Sequence, residues 1–358
     1  MRKNFLPHLL ILAAALSACD RTAPSISVVC EENNVGDNIV KWETYPAMQG
    51  EVEVFASTDP DNIPEEQPKA SAPIPQQYLS IAGNNPAHRY YYTLLFDGRY
   101  RVKTAARNVV IPGIENVRDM GGYPSYKHKK QVRWGMIYRS AGIGSLDQRA
   151  CDELANLRLR TIIDLRTSSE ARTMDTTALR RAGIRLERIP IPVNDTDSIL
   201  DGVLRHDIDN DSLHRIVLQM NSYWATQCTR QYRQMFDLLL DRANYPLLIC
   251  CASGKGRTGV ASALLLSALG VDEGSITDDY ALSNRYLDIP KLSARAYELP
   301  TRSQIAITTL LSAREDFLNA AHDAIEQQYG SIETYLNEAL GLDRKSQKRL
   351  QDILLEKD

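Results

Sequence analysis

The sequence predicts an α/β domain, with a central, mostly parallel sheet flanked by helices, preceded by a small all-β domain. From about residue 108 onward, short apolar runs alternate with longer helical segments, which is typical of a parallel sheet covered on both faces. Before that point, short segments alternate polar and apolar residues, as half-buried strands do. A length of 358 residues exceeds one ordinary domain, so two domains are expected.

The composition excludes several classes of protein. With 43% apolar and 24% charged residues, the chain can bury a core, so it is not wholly disordered. A formal net charge of -3 gives no electrostatic reason to expect nucleic acid as a partner. Six cysteines are too few for a small disulfide-stapled scaffold. Beyond the N-terminal segment, no stretch approaches the ~20 apolar residues that a spanning helix needs.

The N-terminus is typical of an export signal. Arg2 and Lys3 precede an uninterrupted apolar run from Leu9 to Leu16, which is shorter than a bilayer is thick. The run ends in Leu-Ser-Ala-Cys, which resembles the lipobox of bacterial lipoproteins and implies acylation of Cys19. Residues 1–18 are therefore expected to be a lipoprotein signal peptide, and the protein to be lipid-anchored to a membrane outside the cytoplasm, in the bacterial cell envelope. An ordinary cleaved signal peptide with an incidental cysteine is the alternative.

Residues 19–106 are predicted to form the all-β domain. Four segments have the alternation of half-buried strands: Asn38–Glu43, Glu51–Phe55, Arg89–Leu95 and Tyr100–Lys103. Trp42 in the first segment and the tyrosines of the third resemble a fibronectin type III or immunoglobulin-like module, which implies a small sandwich. The segment Pro64–Pro75 is predicted to be a surface loop. No chemistry is visible in this domain, so a spacer or docking role is expected.

Residues 107–358 are predicted to form the α/β domain. Its predicted strands are Val132–Tyr138, Thr161–Leu165, Arg185–Val193 and Pro246–Cys250. Its predicted helices are about 145–158, 169–182, 211–242, 258–269, 272–288, 302–328 and 331–356. Ser145 to Gln148 has the pattern of a capping box, which predicts where the first helix begins.

The chemistry is concentrated where the last predicted strand meets its helix, at Cys-Cys-Ala-Ser-Gly-Lys-Gly-Arg-Thr-Gly, residues 250–259. Such a turn into a helix N-terminus forms an anion site, because backbone N–H groups point inward and the helix dipole adds to their field. Gly254 and Gly256 are expected to permit the tight path and positive φ. Arg257 can bind two oxygens of a tetrahedral oxyanion, and a thiol beneath it at Cys251 would ionise easily and attack phosphorus. A glycine turn with a structural thiol is the alternative; a Walker A loop is excluded, because the lysine precedes neither Ser nor Thr.

Cys251, five residues, Arg257 and then Thr-Gly resemble the Cys-x5-Arg signature of protein tyrosine and dual-specificity phosphatases. The resemblance implies hydrolysis of phosphate monoesters through a phosphocysteine at Cys251, without a metal or other cofactor. Arg257 would bind phosphate and the transition state, and Thr258 would hold the sulfur through its hydroxyl. The other residues given a phosphate-binding role are Ala252, Ser253, Gly254, Lys255 and Gly256.

Other stretches resemble the bacterial branch of the same family, and the resemblance covers about residues 108–356. They are Asn116–Tyr123, Tyr138–Ala141, Ile162–Arg166 with Glu170, Asp279–Tyr280 with Ser283–Asn284, and Gly330–Leu342. The charged residues Arg118, Asp119, Asp164 and Arg166 are expected to form a buried salt-bridge scaffold beneath the loop, with direct chemistry as the alternative.

Two positions depart from the family's pattern. Cys250 stands where the family usually has a histidine that favours the thiolate, and it places two adjacent thiols in an oxidising compartment. Gly256 stands where many bacterial relatives have an aspartate, so the acid that protonates the leaving oxygen must come from elsewhere. The Asn-Asp-Thr after the third predicted strand resembles the general-acid loop of small dual-specificity phosphatases. Asp195 is therefore the predicted acid, with Asp197 second and Asp164 third; a loop that serves only as a turn is the alternative.

The substrate class is open from the sequence alone. A phosphorylated protein is expected first, because the resemblance is to protein tyrosine and dual-specificity phosphatases. Lys255 adds a cation that suits a multiply phosphorylated ligand, and its surroundings resemble the loop of lipid phosphatases that act on inositol phospholipids, although Ala252 replaces their first loop lysine. A phosphoinositide or inositol phosphate is thus an alternative substrate. A pseudophosphatase that only binds phosphorylated partners is a further alternative.

Overall fold

The computed structural model of the protein describes residues 23–33, 36–82, 84–85, 88–172, 174, 176–193, 196–205, 207–288 and 298–356. The predicted lipidation site Cys19 and the predicted acid Asp195 lie outside the described residues, as does the side chain of Asp197. Within the described ranges, no helix is long and apolar enough to span a bilayer.

Seven strands form two antiparallel sheets in the N-terminal part of the chain. They are β1 (Ser25–Glu32), β2 (Asn38–Tyr45), β3 (Glu51–Ser57), β4 (Ala70–Pro73), β5 (Tyr78–Ile81), β6 (Tyr91–Phe96) and β7 (Tyr100–Thr104). The strand orders are β1-β2-β5 and β4-β3-β6-β7. The four predicted strands are present, but β4 lies in the segment predicted to be a loop, because its backbone pairs with β3.

The apolar faces of these two sheets meet in one core, to which both contribute buried residues. Trp42 of β2 packs edge-on against Phe96 of β6, with 6.0 Å between ring centroids. Its indole N–H donates to the carbonyl of Ile74 at 2.8 Å, which satisfies the one polar group of this buried ring. The alternation of the sequence therefore produces two sheets that cover each other.

The second part of the chain is built on a five-stranded mixed sheet, which confirms the predicted mostly parallel sheet flanked by helices. The strands of this part of the chain are, in order, β8 (Arg118–Asp119), β9 (Pro124–Ser125), β10 (Lys130–Gln131), β11 (Ile137–Ser140), β12 (Thr161–Asp164), β13 (Arg185–Arg188) and β14 (Leu247–Cys250). Of these, β9 and β10 form a separate two-stranded antiparallel sheet. The five-stranded sheet has the order β13-β12-β14-β11-β8; its first four strands are parallel and β8 is antiparallel at the edge. Parallel strands end at one sheet edge, so Ser140, Asp164 and Cys250 lie together there.

Helices cover both faces of this sheet. They are α1 (Gln148–Asn156), α2 (Thr176–Arg181), α3 (Thr196–Leu204), α4 (Asn210–Gln227), α5 (Thr229–Leu239), α6 (Gly256–Ala268), α7 (Glu273–Ala281), α8 (Ser283–Tyr286), α9 (Thr301–Leu311), α10 (Glu315–Tyr329) and α11 (Arg344–Leu354). A short helical turn at Ile332–Thr334, continued by a π-helix at Tyr335–Ala339, lies between the last two. The segments predicted to be helical at 211–242, 272–288 and 302–328 each contain two helices, and α3 was not predicted. The capping box was also wrong: the N-cap of α1 is Asp147, whose carboxylate accepts from the amide of Ala150.

The sheet separates two hydrophobic cores, and α6 is buried in the larger one, as its apolar sequence predicts. Successive residues of a strand point to opposite faces of the sheet. Cys250 accordingly belongs to the smaller core, with α1, whereas Cys251 belongs to the larger one.

Candidate active site

Residues 251–257, here called the cysteine loop, run from the end of β14 to the first turn of α6. Cys251 is buried, with 2% of its surface exposed, whereas Ala252 is exposed and Ser253 half-buried. The loop thus passes from the sheet edge to the surface and back to a buried helix N-terminus. This placement is the strand–turn–helix context that an anion site requires.

The carbonyl groups of the cysteine loop are held on its outer side. The Gly142 amide donates to the carbonyl of Ala252 at 3.0 Å, and Asn116 Nδ2 donates to that of Ser253 at 3.0 Å. Arg139 Nη2 donates to the carbonyl of Gly254 at 2.9 Å. The loop amides from Ala252 to Arg257 donate to no acceptor in the described part of the chain. These N–H groups are therefore free to bind an oxyanion.

The two side chains that hold these carbonyls, Asn116 and Arg139, belong to one buried ionic network. Asp279 of α7 accepts hydrogen bonds from Arg139, from Arg118 Nε at 3.1 Å and from Tyr123 Oη at 3.0 Å. Burial raises the pKa of Asp279, but the two guanidinium groups outweigh it and hold that pKa well below its usual range. Arg118 also donates to Asn116. The scaffold role predicted for Arg118 is confirmed.

Asp164 and Arg166 form a second buried pair beside the loop. Asp164 accepts from Arg166 Nε and Nη2, each at 2.9 Å, and from the Arg166 amide at 3.0 Å. Arg166 Nη2 also donates to the carbonyl of Ile143 at 2.9 Å. Since its carboxylate is fully buried and engaged by this arginine, Asp164 is part of the scaffold and is removed as a candidate acid.

Arg257 is held in place by Glu170 in a two-point ion pair. Its Nη2 donates to Glu170 Oε1 at 2.6 Å and its Nη1 to Oε2 at 2.9 Å. Burial lowers the pKa of Arg257, but the carboxylate of Glu170 and the nearby Cys251 outweigh it and raise that pKa. The N–H of Arg257 Nε and one N–H of its Nη2 donate no hydrogen bond to any described residue. The guanidinium is therefore oriented, permanently charged and able to bind two oxygens of a ligand.

The two loop glycines are required for different reasons. Gly254 has φ +65°, as predicted, and a Cβ there would lie 2.3 Å from the carbonyl oxygen of Ser140. Gly256 does not have positive φ, so that part of the prediction was wrong; it is the first residue of α6. A Cβ on Gly256 would lie 2.5 Å from Cζ3 of Trp224 in α4. Packing against an indole, rather than backbone conformation, excludes a side chain there.

The ammonium group of Lys255 does not face the loop, contrary to the prediction that it adds a cation there; its backbone amide remains available to an oxyanion. Its Nζ donates to the carbonyls of Leu310 at 2.5 Å and Ser312 at 2.9 Å, at the C-terminal end of α9. A helix C-terminus attracts a cation through its unpaired carbonyls and its dipole. Burial lowers the pKa of Lys255 to about 8, while the nearby Cys251 opposes that shift.

Thr258 and Cys250 lie near Cys251, but only Thr258 has a group that is available to a ligand. The hydroxyl of Thr258 is buried and has no hydrogen-bond partner among the described residues, so it can donate to the sulfur or to a bound oxyanion. Burial raises the pKa of the Cys250 thiol well above its ordinary value, and Asp164 adds to that shift. Cys250 is therefore a neutral core residue rather than a second nucleophile.

Sequence reasoning missed several residues that shape the site. Glu170 was noticed only as part of a motif, and its pairing with Arg257 could not be read from a separation of 87 residues. Trp224 carries no local signal, because an aromatic residue in an amphipathic helix predicts only core packing. Asp279 was likewise quoted without a role, because nothing in the local sequence distinguishes it from Glu273 and Asp278, the other acidic residues of α7.

Comparison with known proteins agrees with this geometry. A family model described as "Tyrosine phosphatase family" matches residues 109–356. The chain is 27% identical over 279 residues to the triple specificity protein phosphatase PtpB of Mycobacterium tuberculosis, covering 68% of this chain and 98% of that protein. It is 30% identical over 156 residues to a tyrosine-protein phosphatase of Nostoc commune, covering 42% of this chain and 49% of that protein.

Solved structures show a more distant likeness. The core catalytic domain of the PP-IP phosphatase SIW14 from S. cerevisiae is 20% identical, covers 46% of this chain and 90% of its own, and has a TM-score of 0.27. The family match covers most of the chain and the region over which the motifs predicted it. The chain therefore belongs to the tyrosine phosphatase family and is a hydrolase of phosphoric monoesters.

Proposed function

We propose that the protein hydrolyses phosphate monoesters through a phosphocysteine formed at Cys251. The observation that supports this most directly is the cysteine loop itself, whose carbonyls are bonded outward and whose amides are unpartnered beside an oriented Arg257. Such a cradle matches the charge and shape of a phosphate group. A thiolate beneath the phosphorus completes the requirements for nucleophilic attack.

The first step transfers the phosphoryl group to sulfur. The Cys251 thiolate forms the S–P bond as the P–O bond to the leaving group breaks, and the three remaining oxygens lie against the loop amides. Nε and Nη2 of Arg257 bind two of these oxygens and stabilise the charge of the transition state. Thr258, whose hydroxyl is buried and unpartnered, donates to the sulfur as it leaves in the second step. Water then attacks phosphorus, releasing inorganic phosphate and the thiolate.

The proton for the leaving oxygen comes from Asp195 in this proposal, with Asp197 as the second candidate. The indole N–H of Trp224 donates to the carbonyl of Pro192 at 2.8 Å, and the same ring packs against Gly256. The chain that leads to Asp195 is thus tied beside the cysteine loop. After the first step the same carboxylate accepts a proton from the attacking water.

A phosphorylated protein is the proposed substrate. The Mycobacterium tuberculosis relative is named as a protein phosphatase. The sequence argument for an inositol phosphate depended on a free cation at Lys255, and that ammonium is bonded to the carbonyls of Leu310 and Ser312. The surplus charge that would select several phosphate groups is therefore withdrawn from the loop.

Phosphate release under reducing conditions tests this function. Phosphotyrosine and phosphoserine peptides should be compared with inositol phosphates, with Cys251→Ser as the control. We expect turnover of phosphopeptides, no turnover by the variant, and acid-stable labelling of the wild type by a phosphate donor after rapid quenching. A wild type as inactive as Cys251→Ser on every substrate would instead indicate a pseudophosphatase.

We also propose that residues 1–18 are a lipoprotein signal peptide and that the mature protein is anchored through Cys19 in the cell envelope. In this arrangement, residues 19–106 form an immunoglobulin-like or fibronectin III-like sandwich and residues 107–358 the phosphatase domain. The order of basic residues, apolar run and cysteine supports the anchor. Labelling of bacterial cells with an alkyne fatty acid should mark the wild type and not Cys19→Ala; equal labelling of both would exclude this anchor.

A further inference from the structure

The carboxylate of Asp119 is completely buried at the edge strand β8. Its Oδ1 accepts from the amide of Gly121 and its Oδ2 from the amide of Gly135, each at 2.8 Å. Its ion-pair partner, the only one across the described ranges, is Arg89, whose Nη2 lies 3.0 Å from Oδ2. A buried carboxylate without a cation is costly, so this arginine is needed where it lies.

Arg89 comes from the N-terminal part of the chain and is fixed from several sides. Its side chain is only 10% exposed, and its Nε donates to Tyr91 Oη at 3.2 Å. Its guanidinium carbon lies 5.1 Å from the ring centroid of Tyr91 and 5.9 Å from that of Tyr138. The hydroxyls of these two tyrosines are 3.0 Å apart and hydrogen-bonded. The N-terminal sheets therefore contact two residues of the catalytic sheet, Asp119 and Tyr138, through buried polar groups.

Those two residues stand directly beside the arginines that shape the cysteine loop. In the register of β8 with β11, Asp119 pairs with Tyr138 and Arg118 pairs with Arg139. Arg139 holds the carbonyl of Gly254, and Arg118 holds Asn116, which in turn holds the carbonyl of Ser253. The contact with the N-terminal sheets and the contact with the loop are therefore one residue apart on both strands.

We propose that Arg89 is a positioning residue for the cysteine loop, so that the N-terminal sheets are part of the catalytic unit rather than a spacer. Position 89 lies outside the segment 109–356 that the family model matches. By neutralising Asp119 it fixes β8, and through Arg118 and Arg139 it fixes the outward direction of the loop carbonyls. The proposal rests on the proposed function of the loop.

The test replaces Arg89 with methionine, which keeps the unbranched apolar stem of the side chain and removes its charge and its donors. We expect kcat for an aryl phosphate to fall and the inhibition constant of inorganic phosphate to rise, each at least about tenfold, as when an outer contact of a functional site is lost. Both are measured at a temperature where circular dichroism shows the variant folded, because partial unfolding alone would lower kcat without changing the inhibition constant.

Glu31→Gln is the matched control. Glu31 also joins the N-terminal sheets to the rest of the chain, through Arg285 at 3.2 Å, but this pair is exposed and does not touch β8 or β11. The Glu31→Gln variant should leave kcat and the inhibition constant of inorganic phosphate unchanged. Arg89→Lys, which keeps the charge, should recover part of the loss. In an Asp119→Asn background, Arg89→Met should add less than twofold, because its effect passes through that carboxylate.

A folded Arg89→Met protein with wild-type kcat and phosphate inhibition would overturn the proposal. Should this variant not fold, Tyr91→Phe decides: it removes one partner of Arg89 and the bond to Tyr138 but keeps the ring, and unchanged constants would again overturn the proposal. If the wild type binds phosphate without turnover, the dissociation constant of inorganic phosphate tests the proposal independently. It is compared between Cys251→Ser and Cys251→Ser/Arg89→Met, and equal values would overturn the proposal.

Discussion

The indole of Trp224 fills the space into which a side chain at position 256 would project. A Cβ on Gly256 would lie 2.5 Å from Cζ3 and 2.9 Å from Cη2 of that ring. The two residues come from different helices, α4 and α6, so the fit is a property of the fold. It accounts for the glycine at this position, because the space that a side chain would need is filled by an aromatic ring.

Gly256→Asp should therefore impair the protein rather than supply an acid. Forcing a side chain against the ring should lower the free energy of unfolding by about 1–3 kcal/mol, as overpacking does. Phosphatase activity should fall as well, because α6 carries Arg257. Thermal unfolding and turnover of an aryl phosphate measure both effects. Trp224→Leu should restore part of the stability in the double variant; a Gly256→Asp protein as stable as the wild type would contradict the packing argument.

Cys251→Ser should abolish turnover while retaining phosphate binding, because the loop amides and Arg257 remain in place. Cys250→Ala is the matched control one residue away. The thiol of Cys250 faces the smaller core, and burial raises its pKa. The Cys250→Ala variant should therefore keep most of the wild-type activity. Peptide mapping after brief treatment with iodoacetate should find the label on Cys251 and not on Cys250. Labelling of Cys250 in the folded protein would contradict these assignments.

Glu170→Gln should reduce kcat/KM by about tenfold, because a charge-assisted two-point pair that orients Arg257 is lost. The fall should be in kcat and in phosphate affinity together, since both depend on the guanidinium. Glu187→Gln serves as the control: its exposed pair with Arg185 lies on β13, away from the cysteine loop. A Glu170→Gln enzyme with wild-type kinetics would show that the loop alone orients the arginine.

Lys255 should give the protein a measurable pH dependence of stability. Its pKa is lowered to about 8 by burial, whereas in an unfolded chain it is about 10.4. Between these values the unfolded state binds more protons, so the contribution of Lys255 to stability rises with pH. The unfolding free energy of the wild type minus that of Lys255→Met should increase by on the order of 2 kcal/mol from pH 8 to 10. Denaturant titrations that give a constant difference would refute this assignment.

Asp195→Asn should slow substrates with poor leaving groups much more than those with good ones. Removing a general acid typically costs about 10²- to 10⁴-fold when the leaving oxygen needs a proton. A phenyl phosphate and a dinitrophenyl phosphate make the comparison, and Asp197→Asn is the parallel variant. Equal slowing of both substrates would exclude Asp195 from this role, and a selective effect in Asp197→Asn would assign the acid there.

The parts of the fold that follow from local sequence were predictable. The buried run before Cys250, the all-apolar helix after Arg257 and the glycine at 254 each carry their signal within a few residues. The same holds for the placement of Cys251 and Arg257 at the two ends of one loop, since their spacing is fixed by the turn they share. Strand β4 could not be found in this way, because its pairing with β3, and not its composition, makes it a strand.

The contacts that support the site are long-range, and the sequence does not reveal them. Lys255 bonds carbonyls 55 and 57 residues away, and Arg139 reaches a carbonyl 115 residues away. The ammonium group of Lys255 was predicted to face the loop because the residue lies within it. Its long side chain instead reaches free carbonyl acceptors at the end of another helix. The reason for Gly256 was also predicted wrongly. Its position in the loop suggested that a positive φ requires glycine there, whereas the indole of Trp224 in α4 leaves no room for a side chain.

The alternation of side chains at the end of β14 has a chemical consequence for the nucleophile. A disulfide requires two Cβ atoms about 4 Å apart with their sulfur atoms turned toward each other, whereas Cys250 and Cys251 project into opposite layers of the protein. Once an oxidant converts the sulfur of Cys251 to a sulfenic acid, its neighbour cannot trap it as an internal crosslink. Recovery through a disulfide then requires a thiol other than that of Cys250, and prolonged exposure to peroxide leads to irreversible inactivation.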